Sequence, residues 1–192
     1  MARYYRARQR LLVERRSLPR RVNSAQELLG HGGDGCVHRR IIGFGVAPAH
    51  LDGIRVCQMF NRAIARQTLP RHLSSDHDPL FRFHRWQANL RVLEVDEIKT
   101  VPETPRSHAF VERLIGTIRR EFLDRTLFWS QGDLERKLEG YQKYYNECRC
   151  RSGLAGLTPA QRSGAPSPLT ARFHSYRWRQ HCDGLFQTPA TA

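Results

Sequence analysis

Acidic residues are scarce in this sequence of 192 residues: 18 Asp and Glu stand against 32 Lys and Arg, a formal net charge of +14. That excess of positive charge predicts a polyanionic partner. Long apolar runs are missing as well. No window approaches the roughly eighteen uninterrupted apolar residues that a membrane helix needs. The start, MARYYRARQRLLVERRSLPRR, is basic but holds no apolar stretch long enough for a secretory signal. A cytoplasmic protein is therefore expected, with nucleic acid favoured over membrane because no basic amphipathic helix with a broad apolar face is visible. The five cysteines, Cys36, Cys57, Cys148, Cys150 and Cys182, contain no CxxC pair. Their odd number and loose spacing point to reduced thiols rather than to a disulfide framework or a four-ligand zinc site.

What is present suffices for a folded domain. Hydrophobic residues make up 40% of the chain and aromatics 9%, which excludes a wholly disordered polycation and leaves one basic domain with appendages. Residues 1–38 read as a basic, glycine-rich arm. Eight arginines face the single acid Glu14 in residues 1–21, and four glycines occupy positions 30–38. Residues 166–192, with their prolines and lack of periodicity, read as a weakly ordered basic tail.

Between these ends, strand and helix signals alternate in the order of an α/β protein. RRIIGFGV (39–46) is the short apolar run of a buried strand. The segment 52–67 then changes to helical spacing, with Ile54, Cys57, Met59, Phe60, Ala63 and Ile64 as its apolar positions and Asp52 near its start. HLSSD (72–76) is a strand candidate that ends on Asp76, followed by a helix in 80–95 and a strand in 97–102. The clearest helix spans 108–125, its stripe made by Val111, Leu114, Ile115, Ile118 and Phe122. At about 100° per residue, Glu112 lies outside that stripe, on the side of Gly116 and Arg119 with Arg113 and Arg120 further round. A helix from 131 to 147 with Leu134, Leu138, Tyr141 and Tyr145 inward follows, opened by a weak Ser130 to Asp133 capping box. Thr158-Pro159-Ala160-Gln161 then starts a last short helix.

Asp76 and Glu112 are 36 positions apart, one at a strand end and one on a helix. With Arg39 to Val46, Ser75 to Phe81, His108 to Arg113, Arg119-Arg120-Glu121, Tyr144-Tyr145-Asn146 with Arg149, and Gly156 to Ala160, this pair resembles the retroviral-type integrase catalytic core of DDE integrases and insertion-sequence transposases. The resemblance covers residues 39–162, divided into a core remnant over 39–126 and C-terminal core helices over 127–165. It implies an α/β fold with an RNase H-like mixed sheet flanked by helices. In that family three carboxylates hold two divalent cations, Mg²⁺ or Mn²⁺, for in-line cleavage and strand transfer on DNA. It further implies that Asp76 and Glu112 are catalytic metal ligands and that Arg113, Arg119 and Arg120 lie near DNA phosphates. Asp78 competes with Asp76, but the spacing favours Asp76.

The family's first Asp has no counterpart. The region VERRSLPRRVNSAQELLG offers no Asp on an apolar strand, and Pro19 with its arginines argues against a central buried strand. Asp34 is the only nearby Asp, and it lies in the glycine loop. The fold is therefore expected to lack its first strands, as in an N-terminally truncated or frameshifted core, and the catalytic set to be incomplete. Three hypotheses follow: a DDE core fragment that integrates or transposes DNA but is itself incomplete, a basic nucleic-acid-binding protein on the same scaffold without chemistry, or a remnant without stable fold. A homo-oligomer, or assembly with intact transposase copies, is the expected protein partnership.

Overall fold

The computed structural model describes residues 20–24, 39–48, 52–65, 69–75, 77–99, 109–167 and 174–191, with only the backbone described at 20–24, 47–48 and 109–112. Among these residues strands and helices alternate through the first two thirds of the chain. β1 (Arg20–Ser24) pairs antiparallel with β2 (Phe44–Pro48), Val22 lying opposite Val46. α1 (Gly53–Ile64) leads into β3 (His72–Ser75), and α2 (His84–Val92) into β4 (Asp96–Lys99). β3 and β4 are parallel, joined by the α2 crossover. α3 (Ala109–Glu121), α4 (Gln131–Glu147) and the short α5 (Pro159–Arg162) follow, and β5 (Tyr176–His181) with β6 (Phe186–Thr191) closes the chain as an antiparallel hairpin. The α/β class is as expected, with both strand directions present, the described ladders forming three two-stranded pairs. Among the described residues no helix is long and apolar enough to cross a membrane.

Two apolar clusters hold these elements. In one, Val56, Phe60 and Ile64 of α1 meet Leu73, Trp86, Leu90 and Val95. Their spacing of four residues sets a single seam along the helix. The expected apolar face of α1 is thus partly displaced: Ile54 is 43% exposed because, two residues before Val56, it lies on the far side of the helix. Asp52 does cap the N-terminus, its Oδ1 accepting from the Arg55 N–H at 2.7 Å.

In the other cluster, Leu114 and Ile118 of α3 and Phe122 just after it pack with Leu134, Leu138, Tyr141 and Tyr145 of α4 and with Ile41 and Val46. Phe122 stacks on Tyr141 at 4.8 Å between ring centroids. The expected stripes of both helices are found wherever side chains are described, with Ile115 half-buried. Ser130 accepts from the Asp133 N–H, while the Asp133 carboxylate reaches back past it to the Trp129 N–H, both at 3.1 Å. Thr158 and Gln161 form a full reciprocal capping box around Pro159.

Three expectations need correction. RRIIGFGV forms a ladder only from Phe44 onward. Before it, Ile41 and Ile42 are gripped by side chains of α4, Gln142 donating to both carbonyls and Asn146 pairing with Ile41. Within the arm, Arg20–Ser24 is a strand despite Pro19, because among the described residues it pairs on one side only, with β2, and Pro19 precedes the ladder. The tail, expected to be weakly ordered, carries the β5–β6 hairpin, which Phe186 fastens to α4 by stacking on Tyr144 at 4.2 Å with the rings 7° from parallel.

Candidate functional site at the carboxyl end of the parallel strands

Because β3 and β4 run parallel in register, from His72 opposite Asp96 to Ser75 opposite Lys99, their carboxyl ends lie side by side. Ligands of open α/β sheets bind at such ends. Ser75, the last residue of β3, is 1% exposed. Asp76 follows it in the chain and lies outside the described residues, as does Asp34. Glu112 falls in the first turn of α3, where a carboxylate is favoured by the helix dipole. Its side chain lies outside the described ones.

The arginines around Glu112 divide. Arg113 and Arg120 are exposed. A Cβ built on Gly116 would lie 3.3 Å from Nη1 of Arg120, so this side chain folds back across the glycine one turn beyond Glu112. Arg119 is half-buried and turns toward Asp124, with 3.9 Å between Nε and Oδ1. Arg149, which belongs to the motif read from the sequence, is held instead by Glu121: its Nε donates at 2.9 Å and its Nη2 to the second carboxylate oxygen, a fork that raises its pKa further. Asp78, the competitor of Asp76, uses Oδ1 to accept from the Leu80 N–H at 2.9 Å and caps the 3₁₀ turn Pro79–Arg82.

A polar network that the sequence reading missed supports the strand ends. Oε1 of Glu97 accepts from Ser75 Oγ at 2.5 Å, from Trp86 Nε1 at 3.1 Å and from Lys99 Nζ at 2.6 Å. Lys99 also donates to Ser75 Oγ at 2.9 Å and to the Phe81 carbonyl at 3.4 Å. The inward face of β4 is therefore Glu97 and Lys99, while Ile98 is 39% exposed. The signal was the alternation of Glu97 and Lys99 at a strand's period of two, which puts both on one face.

Residues 94–159 match the integrase core domain family. This segment is similar to integrase core domains. It runs from the end of α2 through β4, α3 and α4 to the start of α5, and it contains Glu112, Arg113, Arg119 and Arg120, whereas Asp76 precedes it. A curated relative, the uncharacterized 39.2 kDa protein of insertion element IS476 from Xanthomonas euvesicatoria, is 24% identical over 111 residues, 58% of this chain and 32% of that protein. The chain thus spans about a third of the relative's length. Among solved structures, the simian T-cell lymphotropic virus intasome in complex with the PP2A regulatory subunit B56 gamma is similar at a TM-score of 0.51 and 17% identity, covering 78% of this chain and 58% of that one. The catalytic core domain of BIV integrase follows with a TM-score of 0.46 and 24% identity, over 62% and 76% of the two chains. The fold around the matched segment is that of integrase catalytic cores, the RNase H-like fold expected from the sequence.

Proposed function

We propose that this chain is a DNA integration or transposition protein whose integrase core binds DNA, with Asp76 and Glu112 as its metal-holding carboxylates and without a complete catalytic set of its own. The observation that carries the reading is Glu112 in the first turn of α3, inside the matched segment and 36 positions after an Asp that directly follows a parallel strand. Carboxylate oxygens are the donors that Mg²⁺ or Mn²⁺ prefers. A cation held there would activate an attacking oxygen and stabilise a leaving one on a DNA phosphodiester. The exposed Arg113 and Arg120 supply positive charge for the phosphates beside it, and the net charge of +14 supplies the rest of the attraction.

Asp76 and Glu112 fit one such cation in kind, not two in number. Glu97, a carboxylate on the inward face of β4, is occupied by Ser75, Trp86 and Lys99. Glu97 therefore favours the reading in which the chain holds DNA without cutting it, leaving an intact copy to supply the third carboxylate in an assembly.

The test is nicking and strand transfer on labelled DNA in Mg²⁺ or Mn²⁺, together with Mn²⁺ titration calorimetry, on the chain, Asp76→Asn and Glu112→Gln at equal folded fraction. Salt-dependent DNA binding without cleavage, with Mn²⁺ binding lost in both variants, is expected. Cleavage abolished by both substitutions would keep the two carboxylates and overturn the incompleteness. A folded chain that binds no DNA overturns the reading.

A further inference from the structure

We propose that the outer face of the β5–β6 hairpin is a stacking platform for bases of an unpaired DNA strand, with Trp178 and Tyr176 as its rings; this rests on the reading above that DNA is the partner. The hairpin has two unlike faces. Phe186, Thr188 and Ala190 of β6 are half-buried, and on that side Phe186 and His181 lie on Tyr144, at 4.2 Å and 5.4 Å between centroids. The ladder pairs Trp178 with Pro189, Gln180 with Gln187 and Tyr176 with Thr191, and all six residues are exposed. Trp178 is 57% and Tyr176 43% exposed, so two large rings stand in water on a strand anchored by its other face.

Their geometry and surroundings suit a base rather than an apolar protein surface. The rings meet at 5.6 Å with planes 87° apart, forming a corner in which a base stacked on the indole abuts the phenol. Base faces are accessible only in unpaired strands, and every base has one. Neither β5 nor β6 contains an Asp or Glu, and the exposed Arg177 and Arg179, which alternate with the rings and so lie on the other face of β5, add positive charge to the hairpin.

Fluorescence anisotropy with a labelled oligothymidine and with a labelled duplex of equal length tests the platform, using the full chain, Trp178→Ala, Trp178→Phe and, as a control on another exposed tryptophan, Trp129→Ala. Trp178→Ala is expected to weaken single-strand binding about tenfold and leave duplex binding within about twofold, since stacking is lost one base at a time. Trp178→Phe should retain most of the affinity, and Trp129→Ala all of it. Equal losses on both DNAs, or none on the single strand, would overturn the platform while leaving DNA as the partner. A wild-type chain that binds neither DNA overturns both readings. Sedimentation of the same proteins covers the remaining occupant: a dimer that Trp178→Ala dissociates would make this face a contact between copies and overturn the proposal.

Discussion

Asn146 and Ile41, 105 positions apart, exchange two hydrogen bonds: the Ile41 N–H donates to Oδ1 at 2.9 Å, and Nδ2 donates to the Ile41 carbonyl at 2.8 Å. An amide side chain here does the work of a neighbouring strand. Asn146→Ala strips two buried backbone groups of their partners and is expected to cost about 2–4 kcal/mol. Urea denaturation followed by far-UV circular dichroism should show a lower midpoint at an unchanged m-value. Asn146→Asp, which keeps the acceptor and turns a carboxylate oxygen toward the carbonyl, should be no better tolerated.

Glu97 is the hub of the strand-end network, and its two kinds of partner separate its roles. Glu97→Ala leaves Ser75, Trp86 and Lys99 without their shared acceptor and should destabilise by about 2–3 kcal/mol. Lys99→Met, at a residue with a more exposed side chain and with Glu97 still accepting from Ser75 and Trp86, should cost about 1 kcal/mol or less. Loss of the Trp86 hydrogen bond gives a second readout in a shifted tryptophan emission for Glu97→Ala and little shift for Lys99→Met.

Two glycines on one short segment should behave differently. A Cβ on Gly43 would lie 2.7 Å from the Ala63 carbonyl oxygen, a backbone atom of α1, whereas one on Gly45 would meet the flexible end of Met59. Gly43→Ala is therefore expected to cost about 1–3 kcal/mol and Gly45→Ala markedly less. Thermal melts of the two variants side by side decide it.

Acid should loosen the start of α4. The Trp129 N–H bonded to Asp133 holds this carboxyl below its ordinary value of 3.8, with Lys137 and Arg136 adding to the effect. A carboxyl lowered on folding contributes stability above its unfolded pKa and loses it as pH falls through the folded one. The stability difference between wild type and Asp133→Asn should thus be present at pH 6 and shrink toward pH 3, as measured by urea midpoints across that range.

The thiols should react in a fixed order. Burial pushes Cys182 up to about 11 and raises Cys57 and Cys148, whereas Cys150 is exposed. Among these four thiols, iodoacetamide at pH 7.5, read by peptide mass spectrometry, should modify Cys150 first and Cys182 far more slowly.

Helix faces were the most legible part of this chain, because a stripe such as Leu134, Leu138, Tyr141 and Tyr145 repeats within one element and needs no partner to be recognised. The hairpin was hidden for the opposite reason: the alternation in YRWRQH lasts only four residues, FQTPAT carries a proline, and their order comes from Phe186 meeting Tyr144. β1 likewise exists only through β2. At the candidate site, the strand before Asp76 and the helix that holds Glu112 were legible in the sequence, while the pairing of the two carboxylates came from the family resemblance. The roles of Glu97 and Lys99 were not legible, since charged residues on a short strand read as solvent-facing until Ser75 and Trp86 are seen across from them.

Because α4 holds Ile41 through Asn146, the early strand segment cannot be locked while the chain is still being made. At about 5–20 residues per second, some 5–20 s of synthesis separate the two residues. During that interval Ile41 and Val46 lack most of their apolar cover from α3 and α4. The nascent chain, basic and with its β2 segment uncovered, is therefore at its most vulnerable to misassociation before α4 leaves the ribosome.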